Sequence, residues 1–433
     1  MTTSQGICGW AAYGRKRAAG VTRLMRAPTG LLLLSLMLTR AGQAQSFLTL
    51  YAFTGGTDGS APRGSLIADS SGNFYGTTLD GGAHGYGTVY ELPATGGETV
   101  IYSFTGGADG ANPYGSLIRD AAGDLYGTTA YGGNFSAPCP YPSLGCGVVF
   151  AVNPNGNERV LYTFTGGADG SNPFAGLVRD SAGTFYGTTL YGGIAGGCIA
   201  GAGCGVVFKV ERAGSETVLH TFGGPPDGAL PLAALVRDAV GNLFGTTWQG
   251  GMSGCLNGTC GVVFKLDASG NETVLYTFTG GADGGAPEFG ALILDGTGNL
   301  YGTASNGGDN SCTALGCGVV FKVDPTGNET VLYAFTGGTD GGYPVAGLVR
   351  DVKGSLYGTT AEAGNAKENA GVVFKLSPTG TETVLHTFLG TDGSNPAATL
   401  LPHKGVLYGT TAIGGDLSGC GGAGCGVAFE VRP

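Results

Sequence analysis

The chain has little charge, little histidine and no long apolar run. Only 12% of its 433 residues are charged, about half the usual share. Four histidines are scattered through it. No Ser/His/Asp order, paired carboxylates or histidine cluster emerges, so the sequence offers no catalytic set. The most apolar stretch, Leu31–Leu38, has eight residues, whereas a helix needs about 20 to cross roughly 30 Å of hydrocarbon. No window keeps a 3.6-residue period, so helix should be scarce. Glycine is abundant, at 88 residues, yet it does not fall at every third position, which excludes collagen. With 42% apolar residues and aromatics at regular intervals, the chain is not a disordered tract.

Basic residues Arg15, Lys16, Arg17, Arg23 and Arg26 precede the apolar run, and Gly42 and Ala44 suit cleavage before Gln45. Residues 1–45 therefore read as a signal peptide region, with Met25 an alternative start, and the protein is expected to be exported to the periplasm, cell surface or medium. Their removal takes away six basic residues and no acidic ones, leaving 15 Lys and Arg against 31 Asp and Glu, a net charge of −16. That balance repels phosphate backbones, so nucleic acid is not an expected partner. No transmembrane segment is expected in the mature chain, which should be a monomer.

What is present is a repeat. Y-G-T-T occurs at Tyr75, Tyr126, Tyr186, Phe244, Tyr301, Tyr357 and Tyr408, at spacings of 51, 60, 58, 57, 56 and 51 residues. Phe244 and Ala304 are its only departures. D-G-x-x-P also occurs seven times, with aspartates Asp58, Asp109, Asp169, Asp227, Asp283, Asp340 and Asp392. Each unit reads as four short strands, exemplified by Ala175–Arg179 (a), Thr184–Thr188 (b), Cys204–Val210 (c) and Glu216–Phe222 (d). Four strands per radially repeated unit predict an all-β, seven-bladed β-propeller over residues 46–433, with antiparallel blades. The leading strand Leu48–Phe53 and the final strand Cys425–Val431 predict that the N-terminal strand completes the last blade.

The unit GVVFKVDPTGNETVLYAFTGGTDGGYPVAGLVRDVKGSLYGTT (residues 318–360) resembles the GloVer tandem repeat, found in bacterial surface proteins of the choice-of-anchor type. The resemblance covers residues 46–433 and implies export and a propeller-like array. It implies no activity and transfers no catalytic residues. Its members often end in a surface anchor, which is not expected past the last strand here.

Eleven cysteines include Cys8 in the signal region and five close pairs: Cys139–Cys146, Cys198–Cys204, Cys255–Cys260, Cys312–Cys317 and Cys420–Cys425. Each pair lies in a b–c loop, so local disulfides are expected. No pair has zinc-knuckle spacing, so no metal is expected, and no cofactor is indicated. The b–c and d–a loops should share one rim, which gathers the cystine-pinned loops beside the D-G-x-x-P turns.

The aspartates of D-G-x-x-P, and the a–b series Asp69, Asp120, Asp180, Asp238, Asp295 and Asp351, explain themselves as turn residues. His220 and His386 replace a strand-d tyrosine and read as packing residues. Departures from the sevenfold average are more informative. After strand b, blades 2 and 3 carry Tyr131 and Tyr191, and blade 4 carries Trp248 and Gln249. Phe135 and Tyr141 lie in blade 2's long loop. These residues are the candidate ligand contacts, for sugar rings or a protein partner. The leading expectation is a non-catalytic binding or surface-interaction propeller. The alternatives are a carbohydrate-active or lactonase-like enzyme using the central channel, and a structural envelope component.

Overall fold

The structure is a computed structural model, described for residues 46–433 other than 137, 194–197, 199–201, 253–259, 313–314 and 365–368. The expected signal region, Cys255 and parts of several b–c loops lie outside the described residues. Seven four-stranded antiparallel sheets make seven blades. In blade 3 the strands are Val178–Arg179, Phe185–Thr189, Val206–Val210 and Glu216–Thr221. Strand a is shorter than expected, because Ala175 and Gly176 lie against the neighbouring blade at the axis instead of pairing within the sheet. A Cβ built on Gly115 of blade 2 would lie 2.5 Å from the Gly176 nitrogen. No α-helix occurs among the described residues; one short 3-10 turn covers Cys420–Gly422.

The ring closes as expected. Ser46–Ala52 pairs antiparallel with Val427–Arg432, from Ser46 opposite Arg432 to Ala52 opposite Val427. That pairing supplies strand d of blade 7, beside Val406–Thr411 and Leu401–His403. Blade 7's a–b connection is cut to a tight turn at Lys404 and Gly405, both with positive φ (50° and 81°), as suits a two-residue hairpin.

Two belts join the blades. In the first, a phenylalanine at the end of strand d packs edge-on against the strand-c aromatic of the next blade. The pairs are Phe53–Tyr90, Phe104–Phe150, Phe164–Phe208, Phe222–Phe264, Phe278–Phe321, Phe335–Phe374 and Phe388–Phe429, with centroids 5.0–5.2 Å apart. All fourteen rings are fully buried. Edge-to-face pairs contribute about 0.5–1.5 kcal/mol each beyond area burial. The strand-c ring also needs the glycine of Y-G-T-T: a Cβ on Gly127 would meet Phe150 at 2.8 Å. The glycine therefore makes room for a ring within its own blade.

In the second belt the first threonine of Y-G-T-T donates to a backbone carbonyl at the start of the next blade. Thr77 reaches Gly115 (3.4 Å), Thr128 reaches Ala175 (2.8 Å), Thr188 reaches Ala233 (3.3 Å), Thr303 reaches Ala346 (2.8 Å), Thr359 reaches Pro396 (3.2 Å) and Thr410 reaches Gly64 (3.4 Å). Blade 4 is the exception, since the buried Thr246 hydroxyl has no partner. A buried unsatisfied group of this kind costs about 1–3 kcal/mol. Strand d also bulges at one equivalent position in each blade where the c–d register shifts, between Val207 and Phe208 in blade 3. Bulges increase local twist and discourage edge-to-edge association.

Candidate functional site

Both aspartate series are held inside the repeat. Asp169 of D-G-x-x-P accepts from the Tyr162 hydroxyl (2.9 Å), the Thr165 backbone N–H (2.8 Å) and the Thr165 hydroxyl (2.6 Å). In blades where histidine replaces the strand-d tyrosine, the ring nitrogen takes over that contact, His220 to Asp227 at 3.0 Å and His386 to Asp392 at 2.9 Å. These histidines are thus polar partners as well as packing residues. The His403 ring lies edge-on to Phe74 at 5.9 Å. The a–b turn aspartates accept from the Y-G-T-T tyrosines, Asp120 from Tyr126 at 3.0 Å and Asp351 from Tyr357 at 3.1 Å. Burial opposes ionisation of Asp120 and Asp351, but these hydroxyl and backbone N–H donors outweigh it and hold both carboxyls below the usual range.

The rim is built from b–c and d–a loops. Disulfides close Cys139–Cys146, Cys198–Cys204, Cys312–Cys317 and Cys420–Cys425, with Cα separations of 5.2–5.3 Å. Cys260 is also disulfide-bonded. The sulfurs cover a glycine of the following d–a loop. A Cβ on Gly55 would lie 2.6 Å from Cys420 Sγ and 2.8 Å from Cys425 Sγ. In blade 1, which has no cysteine pair, the Tyr86 ring sits over Gly106 in the same way. The second cysteine's carbonyl then accepts the N–H of the residue before the next blade's proline, as in Asn172 to Cys146 (2.7 Å) and Leu230 to Cys204 (2.8 Å). Each bridge thereby braces the seam between two blades.

The position after strand b is pinned by backbone pairing, Tyr131 with Ala111, Tyr191 with Ser171 and Gln249 with Ala229. Tyr131, Tyr191, Trp248 and Gln249 are all half-buried. The structure brings the tyrosines together. Tyr141 meets Tyr191 edge-on at 6.1 Å, and Tyr131 meets Phe174 at 6.1 Å. Burial, then the Tyr141 hydroxyl, holds the Tyr191 phenol well above its ordinary range. Trp248 and Tyr191 pack against one apolar cluster shared by blades 3 and 4, as do Phe174 and Phe289. Phe135, Tyr141 and Leu144 stay exposed, at 45%, 45% and 47%, so apolar surface continues from the half-buried rings into the blade 2 loop.

Beneath this rim is a feature that sequence reasoning missed. The residues three positions before the strand-a leucine differ in every blade except for two phenylalanines: Arg63, Tyr114, Phe174, Leu232, Phe289, Val345 and Ala397; all but Val345 line one cavity. Tyr114 stacks on Phe289 at 5.1 Å with planes 28° apart, and Phe174 meets Tyr114 edge-on at 5.2 Å. Arg63 donates to the Tyr114 hydroxyl (2.9 Å), with its guanidinium 5.3 Å from that ring's centre. Its Nε is buried without a partner. A cavity of about 270 Å³ remains between Arg63, this aromatic group and the small residues Ala397, Ala398 and Thr399.

Blade 5 carries one residue more than the others here. Proline to leucine spans five positions (Pro287 to Leu292) where the other blades span four. The extra residue places Glu288 beside Phe289, at the one blade junction where the threonine belt is broken. The Ser305 hydroxyl lies 2.8 Å from Glu288 Oε1 and 3.0 Å from the Ala286 carbonyl. Burial raises the Glu288 carboxyl above the usual range, partly offset by the Ser305 hydroxyl that donates to it. Near Arg63 in blade 1, burial also raises Asp80, against the pull of Arg63 and a 2.9 Å bond from Asn112.

Among the described residues, no three His, Cys, Asp or Glu side chains gather as a metal site, and no helix is long and apolar enough to cross a membrane.

The closed ring and braced rim define a disulfide-framed, seven-bladed β-propeller. The chain belongs to the Gloeobacter/Verrucomicrobia repeat family, whose profile matches residues 37–200 and 199–423, in agreement with the resemblance seen in its repeats. A comparison with curated proteins finds no match. Among solved structures it is similar to the extracellular domain of a candidate one-component system from B. thetaiotaomicron, at 12% identity and a TM-score of 0.52, over 89% of this chain and 41% of that one. It is similar to puromycin hydrolase at 14% identity and a TM-score of 0.51, over 82% of this chain and 50% of that one. A PQQ-bound aldose sugar dehydrogenase from Streptomyces coelicolor matches at 12% identity and 0.45, over 90% and 98%. This chain spans about two-fifths and one half of the first two. At such identities the likeness is one of fold alone, on which unrelated activities recur.

Proposed function

We propose that this protein is an exported, non-catalytic binding propeller that presents its cystine-bearing rim to a glycan. The observation that carries the reading is the uneven distribution of aromatics over an otherwise sevenfold frame. Tyr131, Tyr141, Tyr191 and Trp248 gather on blades 2 to 4, on the face that the disulfides stiffen. Rigid elements that present rings half-buried at Tyr131, Tyr191 and Trp248 and exposed at Tyr141 suit stacking against sugar faces at low entropic cost. Disulfides fit an oxidising, exported setting, as does the likeness to an extracellular domain. Glycan-array binding by the mature propeller tests the reading. Binding should fall at least tenfold in Tyr191→Ala and Trp248→Ala, and binding indifferent to both would refute it. A protein ligand captured through the same side chains would keep the binding role and change the ligand class.

One observation favours a second reading, a carbohydrate-active or lactonase-like enzyme using the channel. Arg63 of blade 1 lines the mouth, with Asp80 of the same blade near it and Glu288 of blade 5 next to the lining Phe289. Turnover of a glycan or lactone that is abolished by Glu288→Gln would establish it.

A further inference from the structure

We propose that the cavity at the channel mouth is a second, end-on binding site that admits the terminal ring of a neutral sugar. The inference rests on the glycan reading above and adds a pocket to its rim surface.

Three observations carry it. The first is asymmetry. Seven equivalent positions surround the axis, and Tyr114, Phe174 and Phe289 form a packed wall across it. Ala397, Ala398 and Thr399 of blade 7 stand on the open side and leave the cavity unfilled. Its volume of about 270 Å³ lies just under the usual range of ligand pockets, roughly 300–1,000 Å³. That is room for one ring and too little for a chain.

The second is unspent hydrogen-bonding capacity. Arg63 lines the cavity, its Nε–H is buried without a partner, and among the described residues its guanidinium donates one hydrogen bond, to Tyr114. A buried donor left open in a cavity wall is a place where a ligand acceptor gains most.

The third is the blade 5 insertion. It places Glu288 next to Phe289 of the cavity wall, at the junction where Thr246 loses its bond across the blades. The other six junctions keep that bond. A departure that leaves a buried hydroxyl unsatisfied calls for a use of the residue it introduces.

The chemistry narrows the ligand. Apolar ring faces suit the C–H face of a pyranose. Arg63 can only donate, and the hydroxyls of Ser65 and Thr399 in the lining can accept. Hydroxyl groups satisfy both kinds at once. An amino sugar would meet Arg63, a group of the wrong sign, and a carboxylated sugar would compete with Asp80, whose carboxyl already draws on the Arg63 charge.

The test uses the mature propeller and calorimetric titration with oligosaccharides ending in glucose, galactose or mannose. The same scaffolds ending in glucuronate or glucosamine run beside them. Ala397→Phe fills the cavity, and Arg63→Met removes the guanidinium while keeping its stem; thermal melting confirms that each variant folds. Both should weaken neutral-ended ligands at least tenfold, and neutral ends should exceed charged ends by a similar factor. Binding retained in both variants, or a tenfold preference for a charged end, overturns the proposal. Sensitivity to Tyr191→Ala alone removes the channel site and leaves the rim reading intact. If no oligosaccharide binds, the channel site falls with the glycan reading, while a protein captured through Tyr191 would still support a binding role.

Discussion

Raising the pH from 4.5 to 8 should destabilise this propeller by several kcal/mol. The cause is a glutamate at the start of strand d in six blades. Oε1 of Glu98, Glu158, Glu216, Glu272, Glu329 and Glu382 is buried with no partner. Burial, followed by the like charge of a D-G-x-x-P aspartate, pushes five of these carboxyls up to about 7 from 4.5: Glu98 by Asp58, Glu158 by Asp109, Glu216 by Asp169, Glu329 by Asp283 and Glu382 by Asp340. Glu272 is raised too, by burial and Asp227, with His220 opposing. Taken at face value, 4.5 to about 7 is worth roughly 3.4 kcal/mol per group at about 1.36 kcal/mol per tenfold change in proton affinity. These side chains are only half-buried, and solvent screening reduces the figure to about 1 kcal/mol each, on the order of 5 kcal/mol for five. The folded state holds the proton more tightly than the unfolded chain. The stabilisation is therefore complete below about 4.5 and lost as the pH rises through about 7. Thermal melting from pH 4.5 to 8.5 at constant ionic strength should show a falling midpoint. Replacing the five glutamates by glutamine should flatten the slope. A midpoint that is level or rises across this window, or a slope unchanged in the glutamine variant, would refute the reasoning.

Three further outcomes are expected. Thr128→Val should cost about 1–2 kcal/mol in chemical denaturation, because the Ala175 carbonyl loses its donor. Thr246→Val should be neutral or stabilising, since that hydroxyl has no partner to lose; equal losses at both sites would contradict the belt. Phe53→Ala should cost about 3–5 kcal/mol, as expected for a fully buried ring, and deleting residues 46–52 should abolish cooperative unfolding, because blade 7 loses its strand d. Reduction of the disulfides should lower stability by at most about 2 kcal/mol per bridge, because the closed loops are short. Hydrogen exchange should instead rise in residues 139–146 and at Gly166, which the first bridge covers.

Repetition made the fold readable. Seven copies of Y-G-T-T and D-G-x-x-P specify seven units, and alternating short strands with turn residues specify four strands in each. A leading strand without a blade and a final blade lacking its fourth strand require the two ends to meet. All of this follows from local pattern and from the need of each sheet to cover its apolar faces. Cysteine spacing likewise marked the b–c loops. The channel mouth was not readable in that way, because Arg63, Tyr114, Phe174 and Phe289 are separated by 51 to 115 residues and meet only when the ring closes. The blade 5 insertion was visible as one extra residue between Pro287 and Leu292. The unpartnered Thr246 on the neighbouring blade and the place of Phe289 in the cavity wall depend on contacts between blades. Strand pattern and turn chemistry are properties of consecutive residues. A cavity is a property of whichever side chains closure places face to face.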